Sequence, residues 1–299
     1  MRDEGRERRP GFFDRKPRPS SLASVPSEFI YGRQPVLEAL KAGQRPLHKI
    51  WIQEGTGGEI TREIERLAKV KGIPVEWAIR EHLDKRVQGH HQGVVAQASA
   101  AEFLELDDFL KSLPHPNPLP KGDRAHLNPY SAPSPGSLRE GGVSPGEAKP
   151  IVLIALDEIQ DPHNIGAILR SGGFFGVSAA IVPRWRSAPV GETAARVSSG
   201  AIEHIPLIRV RNLADAINDL KGAGFEVVGA DMEGSPVREH QPHHRTAIVF
   251  GSEGKGLRRL VRERCDKLLQ IPGQGPVASL NVSAAAAIFL YEFCCRLTK

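Results

Sequence analysis

The chain has 299 residues, 40% of them apolar, so it is long enough to form two domains with hydrophobic cores. Its net charge of +5 and isoelectric point near 9.2 favour a polyanionic partner such as RNA or DNA, but mildly basic enzymes of other kinds share this balance. Three cysteines, two of them adjacent, argue against a disulfide framework and favour a reducing cytoplasm. We expect no membrane span and no signal peptide, because no stretch is long and apolar enough.

The N-terminal part of the chain divides into a tail and a small domain. Residues 1–27 are polar, charged and proline-bearing, which predicts a disordered basic tail, either a tether for nucleic acid or a solvated segment without function. Over residues 28–104, helical and strand patterns alternate and predict a small α/β domain. The predicted helices are QPVLEALKAG and EITREIERLAKVKG, and the predicted strands are HKIWIQ, PVEWAI and GVVAQAS.

The middle of the chain changes composition abruptly. Residues 105–150 are rich in Pro, Gly and Ser and have almost no apolar periodicity. Such a segment cannot bury enough surface to offset its ordering entropy. We therefore interpret it as a flexible linker that carries an insertion.

Residues 151–299 show the pattern of a parallel sheet. Five strands that are continuously apolar alternate with helical stretches, and such strands are typical of a sheet covered on both faces. The strands are IVLIAL, AAIV, FEVVGA, TAIVF and KLLQI. This half is predicted to be a doubly wound α/β domain, in which ligands bind at the carboxyl ends of the strands.

Polar residues follow three of these strands. Asn164 and Arg170 come after the first strand, Glu253 lies in the glycine-rich turn after the fourth, and Ser279 and Asn281 come after the fifth. Each has a purely structural alternative, since Asn is a common helix N-cap and an arginine on a helix is often only solvated. Because all three groups belong to one edge of the sheet, we expect a site there.

Other kinds of site fit the sequence poorly. The turn is not a nucleotide phosphate loop, because only two residues separate Gly251 from Gly254-Lys255 and the Glu253 carboxylate would repel phosphate. No GxGxxG motif follows the first strand, and Ser279 lacks a GxSxG elbow. We expect no metal, because the histidine clusters lack nearby cysteines or well-spaced acids. These clusters are His90-His91 and His240, His243 and His244.

Three segments resemble the signature motifs of the SpoU (TrmH-like) family of RNA 2′-O-ribose methyltransferases. They are NIGAILRSGGFFG, IVFGSEGKGL and IPGQGPVASLNVSAAAAIF, and the resemblance covers residues 151–299. It implies a trefoil-knotted parallel-sheet α/β domain, the SPOUT methyltransferase fold. True knots are rare, so this expectation rests on the resemblance and not on periodicity.

Two further resemblances concern the substrate. EFIYGRQPVLEAL and HHQGVVA resemble parts of that family's small L30e/L7Ae-like RNA-binding domain, which assigns residues 28–104 to substrate binding. ARVSSGAIEHIPLIRVRNLADAI resembles the subgroup that methylates a guanosine ribose in the peptidyl-transferase region of 23S rRNA.

The resemblance also implies a cofactor site. In the family, the glycine-rich turn is part of a pocket for S-adenosylmethionine, and the positions that match are Gly251, Ile271 and Leu280, which are expected to contact it through main-chain atoms. Glycine lets a backbone approach a ligand closely, which suits the composition of this turn.

The same resemblance implies catalytic residues. It gives Arg170 the role of base or of stabiliser of the developing alkoxide, and we favour a phosphate clamp and stabiliser because a guanidinium does not give up its proton in proteins. Asn164, Glu253, Ser279 and Asn281 are then expected to orient Arg170, the ribose and the cofactor. We expect Glu253 to form an ion pair with Arg170.

A homodimer is expected as well. The small-residue run at positions 283–287, followed by IFLYEF, predicts a helix with one small-residue face and one large apolar face that a monomer would expose. A two-fold contact is the commonest way to cover such a face. Family members dimerise through this domain, and the partner subunit then helps to complete each RNA site.

The sequence thus predicts a cytoplasmic, metal-independent enzyme that uses S-adenosylmethionine to methylate a guanosine ribose of 23S rRNA. One alternative is a tRNA ribose methyltransferase, which the small N-terminal domain disfavours. Another is a non-catalytic RNA-binding or ribosome-assembly factor, which the full set of polar site residues disfavours. A nucleotide-binding regulator would need the phosphate loop that is missing from this turn.

Overall fold

The structure, a computed structural model, describes residues 27–114, 150–188 and 190–297. The predicted N-terminal tail, apart from its last residue, and most of the predicted linker therefore lie outside the described residues. Within the described ranges, no helix is long and apolar enough to cross a membrane.

The N-terminal domain is a four-stranded sheet with helices on both faces. The sheet order is β1-β4-β2-β3, in which β4 pairs antiparallel with β1 and β2, and β2 pairs parallel with β3. Helices α1 and α2 bury one face around Ile50, Ile52 and Ile64, and α3 covers Trp51 on the other. The elements are β1 (Ser27–Tyr31), α1 (Arg33–Ala42), β2 (Leu47–Gln53), α2 (Glu59–Val70), β3 (Val75–Ala78), α3 (Arg80–Asp84) and β4 (Val94–Ser99).

The connection between the domains begins with structure that the sequence assigned to a linker. Residues Leu106–Ser112 form helix α4, whose Leu106 and Phe109 are buried in the core of the C-terminal domain. Leu104 also pairs with Ile208 as an isolated parallel bridge. These residues therefore belong to the packing of the C-terminal domain.

The C-terminal domain is a six-stranded, all-parallel sheet in the order β10-β8-β9-β5-β6-β7. Helices α5, α6 and α9 pack on one face, and α4, α7 and α8 pack on the other. The elements are β5 (Ile151–Asp157), α5 (Pro162–Phe175), β6 (Ala179–Pro183), α6 (Glu192–Val197), β7 (Leu207–Val210), α7 (Leu213–Gly222), β8 (Glu226–Pro236), β9 (Arg245–Gly251), α8 (Arg259–Arg264), β10 (Lys267–Gln270) and α9 (Val282–Leu297), with short 3₁₀ helices at Ala201–Glu203 and Val237–Glu239. The predicted parallel sheet with both faces covered is confirmed.

The sixth strand, β7, was missed by the sequence analysis. It has only four residues, and the exposed Arg209 interrupts its apolar pattern because β7 lies at the edge of the sheet. Short apolar runs carry the weakest periodicity signal.

Buried contacts fix the two domains against each other. The Arg45 guanidinium donates to both carboxylate oxygens of Glu203 at 3.0 and 2.6 Å, and both side chains are almost fully buried. Tyr31 lies against Glu192, and burial, followed by the charge of Glu192, raises the pKa of Tyr31. A side chain at Gly200 would also meet Glu38 of α1, so the segment around α6 docks closely on the N-terminal domain.

Candidate active site

Three polar side chains from distant parts of the chain meet at the carboxyl edge of the parallel sheet. The Asn164 amide donates to Glu253 Oε1 at 3.0 Å, and the Asn281 amide donates to the same oxygen at 2.5 Å. Asn281 Nδ2 also donates to Asn164 Oδ1 at 3.1 Å. We call these three residues the amide–carboxylate cluster, and it joins all three of the segments that resemble family motifs.

Asn281 serves the cluster and a helix at once. Its Oδ1 accepts from the backbone N–H of Ser283 at 2.8 Å, so Asn281 is the N-cap of α9, as the structural alternative predicted. Since a backbone N–H can only donate and a carboxylate can only accept, these partners fix the orientation of the amide. The capping and site roles are therefore compatible.

Asn164 is not an N-cap. Asp161 caps α5 by accepting from the backbone N–H of His163 at 2.8 Å, and Pro162 occupies the first helical position. The same bond holds the pKa of the Asp161 carboxyl below its usual range. Asn164 lies in the first turn and is buried, which aims its amide at Glu253.

The glycine-rich turn is held by its own backbone. Ser252 and Gly256 exchange two hydrogen bonds at 3.1 and 2.9 Å, and Gly254 and Gly256 adopt left-handed φ values of 78° and 66°. A Cβ at Gly251 would overlap the backbone of Gly256. Gly251 is thus required for closure of the turn itself, a reason the sequence analysis did not foresee.

An ion pair that the sequence analysis missed anchors this turn. Asp157, fully buried at the end of β5, accepts from the backbone N–H of Arg258 at 2.8 Å and from its Nε at 2.7 Å. A carboxylate that ends an otherwise apolar strand was the available signal. Its partner lies 101 residues away and was not visible in any local pattern.

The predicted ion pair between Arg170 and Glu253 is wrong for the single chain. Glu253 is bonded to the two asparagines instead, and Arg170 is exposed without a hydrogen bond or ion pair to any described residue. Six helical residues separate Arg170 from Asn164, which places it about 9 Å along α5 and roughly 120° around it. Asn164 therefore cannot orient Arg170 within one protomer.

The segment after β10 is open. Ser279 is exposed and makes no hydrogen bond within the described chain, Ile271 is half-buried, and Leu280 is 51% exposed. Residues 272–280 form no main-chain hydrogen bonds with the described residues, so their N–H and C=O groups are available to a ligand. Available main-chain groups and exposed apolar side chains beside a glycine-rich turn fit the adenosine part of S-adenosylmethionine.

The described residues contain no group of three or more His, Cys, Asp and Glu side chains placed to hold a metal ion. His91 has a different task. Its Nδ1 accepts from the Gly93 N–H at 3.0 Å, so its Nε2 carries the proton and donates to Asp84 at 2.9 Å. This histidine therefore fixes a loop of the N-terminal domain.

Two family models match the chain. Residues 151–291 match the SpoU rRNA Methylase family, and residues 29–104 match the model for RNA 2′-O ribose methyltransferase substrate binding. A Bacillus subtilis protein named as a TrmH family tRNA/rRNA methyltransferase is 38% identical over 266 residues, covering 89% of this chain and 94% of that protein. A Staphylococcus haemolyticus protein of the same name is 35% identical over 264 residues, which cover 88% of this chain and 93% of that protein.

Solved structures share the fold. The SpoU methyltransferase AviRb from Streptomyces viridochromogenes, also solved in complex with AdoMet, superposes with a TM-score of 0.66 at 21% identity; the complex covers 91% of this chain and 92% of its own. An AdoMet-bound rRNA methyltransferase from Sinorhizobium meliloti superposes with a TM-score of 0.64 at 22% identity. The match covers 89% of this chain and 86% of that one. The family resemblance and the fold class are thereby confirmed. The chain belongs to the SpoU (TrmH) family of AdoMet-dependent RNA 2′-O-ribose methyltransferases.

Proposed function

We propose that this chain methylates the ribose 2′-OH of a guanosine in the peptidyl-transferase region of 23S rRNA. The observation that carries the proposal is the amide–carboxylate cluster, because three motif segments converge there next to a loop with free main-chain groups. The segment that resembles the guanosine-specific rRNA subgroup contains the end of α6 and all of β7, and its Glu203 binds the N-terminal substrate-binding domain.

The cofactor site is proposed at the glycine-rich turn and the segment after β10. Main-chain atoms of Gly251, Ile271 and Leu280 would hold S-adenosylmethionine, which supplies the methyl group when bound. Glu253 lies at the N-termini of α5 and α9, where helix dipoles and two amide donors stabilise its negative charge. Asn164 and Asn281 thus keep one carboxylate oxygen in place, and the cluster holds the two sides of the site together.

Arg170 is proposed to act on the RNA. As the methyl group leaves the sulfonium for the 2′-oxygen, the hydroxyl proton would pass to a phosphate oxygen of the RNA, and a fixed cation beside the 2′-oxygen would stabilise its developing negative charge. A guanidinium also binds phosphate in a bidentate manner, which would position the ribose for in-line attack. Ser279 would contact the ribose or cofactor from the exposed segment after β10.

We further propose that Arg170 reaches its substrate across a homodimer. Arg170 and Phe174 are four residues apart on α5 and share a face, and Phe174 is 83% exposed. Ile288 and Tyr291 of α9 add exposed apolar surface, and Tyr291 contacts Phe175 with ring centroids 6.3 Å apart. A two-fold contact over this face would cover the patch and place Arg170 beside the partner's site.

In vitro methylation tests the proposal. Full-length protein is incubated with radiolabelled S-adenosylmethionine and either 23S rRNA or total tRNA from cells that lack the gene. We expect label in 23S rRNA at the 2′-oxygen of one guanosine. Label in tRNA alone would overturn the rRNA proposal in favour of the tRNA alternative, which the printed names of the relatives also include.

A further inference from the structure

An exposed basic and aromatic surface lies one strand away from the candidate active site. Arg184 and Trp185 directly follow β6, and Arg209 lies on the neighbouring edge strand β7, where it pairs with Val182. Trp185 is 67% exposed, and the Arg184 guanidinium carbon lies 5.4 Å from the centre of its ring. We call Arg184, Trp185 and Arg209 the platform.

The charges of the platform are not neutralised by protein groups. Neither arginine has a carboxylate within ion-pairing distance in the described part of the chain, although Arg186 and Arg258 on neighbouring turns do. The Arg209 guanidinium lies 3.3 Å from the centre of the Phe103 ring, which holds it in place. Partial burial and the nearby charge of Arg184 lower the pKa of Arg209, as expected when two cations are kept close together.

The platform is fixed to the edge that carries the candidate active site. Arg186, next in sequence, donates to Glu158 at 3.3 Å, and Glu158 also lies 3.6 Å from Arg258. Arg258 in turn binds the buried Asp157 below the glycine-rich turn. The Ala188 N–H donates to the Ile159 carbonyl just before α5 begins. The segment that bears Trp185 is thus tied to the residues that follow β5 and, through Glu158 and Arg258, to the glycine-rich turn.

We propose that the platform binds single-stranded RNA flanking the methylated nucleotide. Trp185 stacks on an unpaired base, and Arg184 and Arg209 contact the adjoining phosphates. An exposed aromatic ring beside uncompensated cations matches the two general features of single-strand recognition, a stacking surface and a positive path for the backbone. In a duplex the faces of the bases are stacked on each other, so they cannot stack on the Trp185 ring. This inference rests on the proposed function only in taking RNA as the substrate.

Tryptophan fluorescence reports the stacking directly. The chain has three tryptophans, of which Trp51 is buried and Trp77, in the N-terminal domain, is 45% exposed. The probe is a single-stranded oligoribonucleotide of about ten nucleotides, within the usual site size for such surfaces, compared with its annealed duplex. We expect the single strand to quench fluorescence of the wild type and Trp77→Phe but not of Trp185→Phe. Equal quenching of Trp185→Phe and the wild type would overturn the proposal.

Binding measurements separate the roles of ring and charge. Trp185→Ala should weaken binding of the oligonucleotide by about five- to a hundredfold. Trp185→Phe should keep most of the wild-type affinity, because phenylalanine is also a stacking ring. Arg184→Ala should remove about one phosphate contact, so the slope of log affinity against log salt concentration should become shallower by about one. Arg238→Ala removes an exposed arginine on another part of the surface and serves as the matched control.

Methylation of 23S rRNA, measured on the same proteins, keeps this inference distinct from the proposed function. If the wild type fails to methylate rRNA while Trp185-dependent quenching persists, the proposed function fails and the platform stands. If Trp185→Ala binds the oligonucleotide and methylates rRNA with wild-type affinity and KM, the platform fails and the proposed function stands.

Discussion

Two asparagine side chains organise the site, because each donates with its amide nitrogen and accepts with its amide oxygen. Asn281 caps a helix with its oxygen and holds Glu253 and Asn164 with its nitrogen. Asn164 accepts from one cluster member and donates to the other. An aspartate at either position can accept hydrogen bonds as the asparagine oxygen does, but its carboxylate cannot donate one. Substitution of Asn281 by aspartate therefore keeps the helix cap and removes the donated bonds that organise the site.

Asn281→Asp should therefore damage the cofactor site without unfolding the helix. Aspartate caps helices as well as asparagine does, so α9 should stay folded, and the free energy of unfolding should fall by only about 2–4 kcal/mol, the cost of the lost donated bonds and the new repulsion. The introduced carboxylate loses both donated bonds and repels Glu253, so we expect affinity for S-adenosylmethionine to fall at least tenfold. Calorimetry and denaturant titration measure the two effects, and unchanged cofactor affinity would show that the cluster only caps the helix.

Arg170→Ala should nearly abolish methyl transfer, by at least about a hundredfold, as loss of an electrostatic stabiliser typically does. Cofactor affinity should stay within a few-fold of the wild type, since Arg170 makes no contact with the amide–carboxylate cluster. Turnover at saturating rRNA and calorimetry provide the readouts, with Arg238→Ala as the control. Near-normal turnover would mean that Arg170 is only a surface charge.

Local patterns of apolar and polar residues predicted many of the strands and helices. They could not predict contacts between residues that are far apart in the sequence. The apolar runs of β5, β6 and β9 and the polar residues after them were readable, because a buried parallel strand has a distinct composition. The Asp157–Arg258 pair joins two elements through tertiary packing, so neither residue stood out locally. The helical phase of Arg170 was overlooked, although six residues place it on another face than Asn164.

The Asp157–Arg258 pair predicts an asymmetric response to mutation. Arg258→Ala leaves the fully buried Asp157 carboxylate with only a backbone partner, which should cost about 2–3 kcal/mol of unfolding free energy. Asp157→Asn removes the buried charge, and the partly exposed Arg258 can be hydrated, so the cost should be about 1 kcal/mol. Denaturant titrations of both variants compare the values. A larger loss for Asp157→Asn would contradict this account of the turn.

For the chain as a whole, docking of the two domains places the substrate-binding domain against the α6 segment of the domain that carries the candidate active site. The buried Arg45–Glu203 pair and the contact of Tyr31 with Glu192 join them through the α6 segment. These contacts could not be predicted from the sequence, because each partner lies in an ordinary polar stretch of its own domain. The domain types themselves were predictable, since the motifs that identify them are local.

The exposed face of α5 and α9 predicts a dimer. Light scattering of the full-length wild type at micromolar concentration should give twice the chain mass. Phe174→Arg should give a monomer, because a charge at the centre of an apolar contact cannot be desolvated cheaply, while cofactor binding should persist. Val70→Ala, at another exposed apolar position, is the control. A monomeric wild type would refute both the dimer and the shared site.

Cells that lack the gene show whether the protein methylates a guanosine ribose in 23S rRNA. Every 2′-O-methyl group in rRNA and tRNA is mapped in these cells, and again after the gene for the wild type or for Arg170→Ala is returned. We predict that one guanosine in the peptidyl-transferase region loses its methyl group and regains it only with the wild type. Loss of a tRNA methyl group, with 23S rRNA unchanged, would contradict the proposed function.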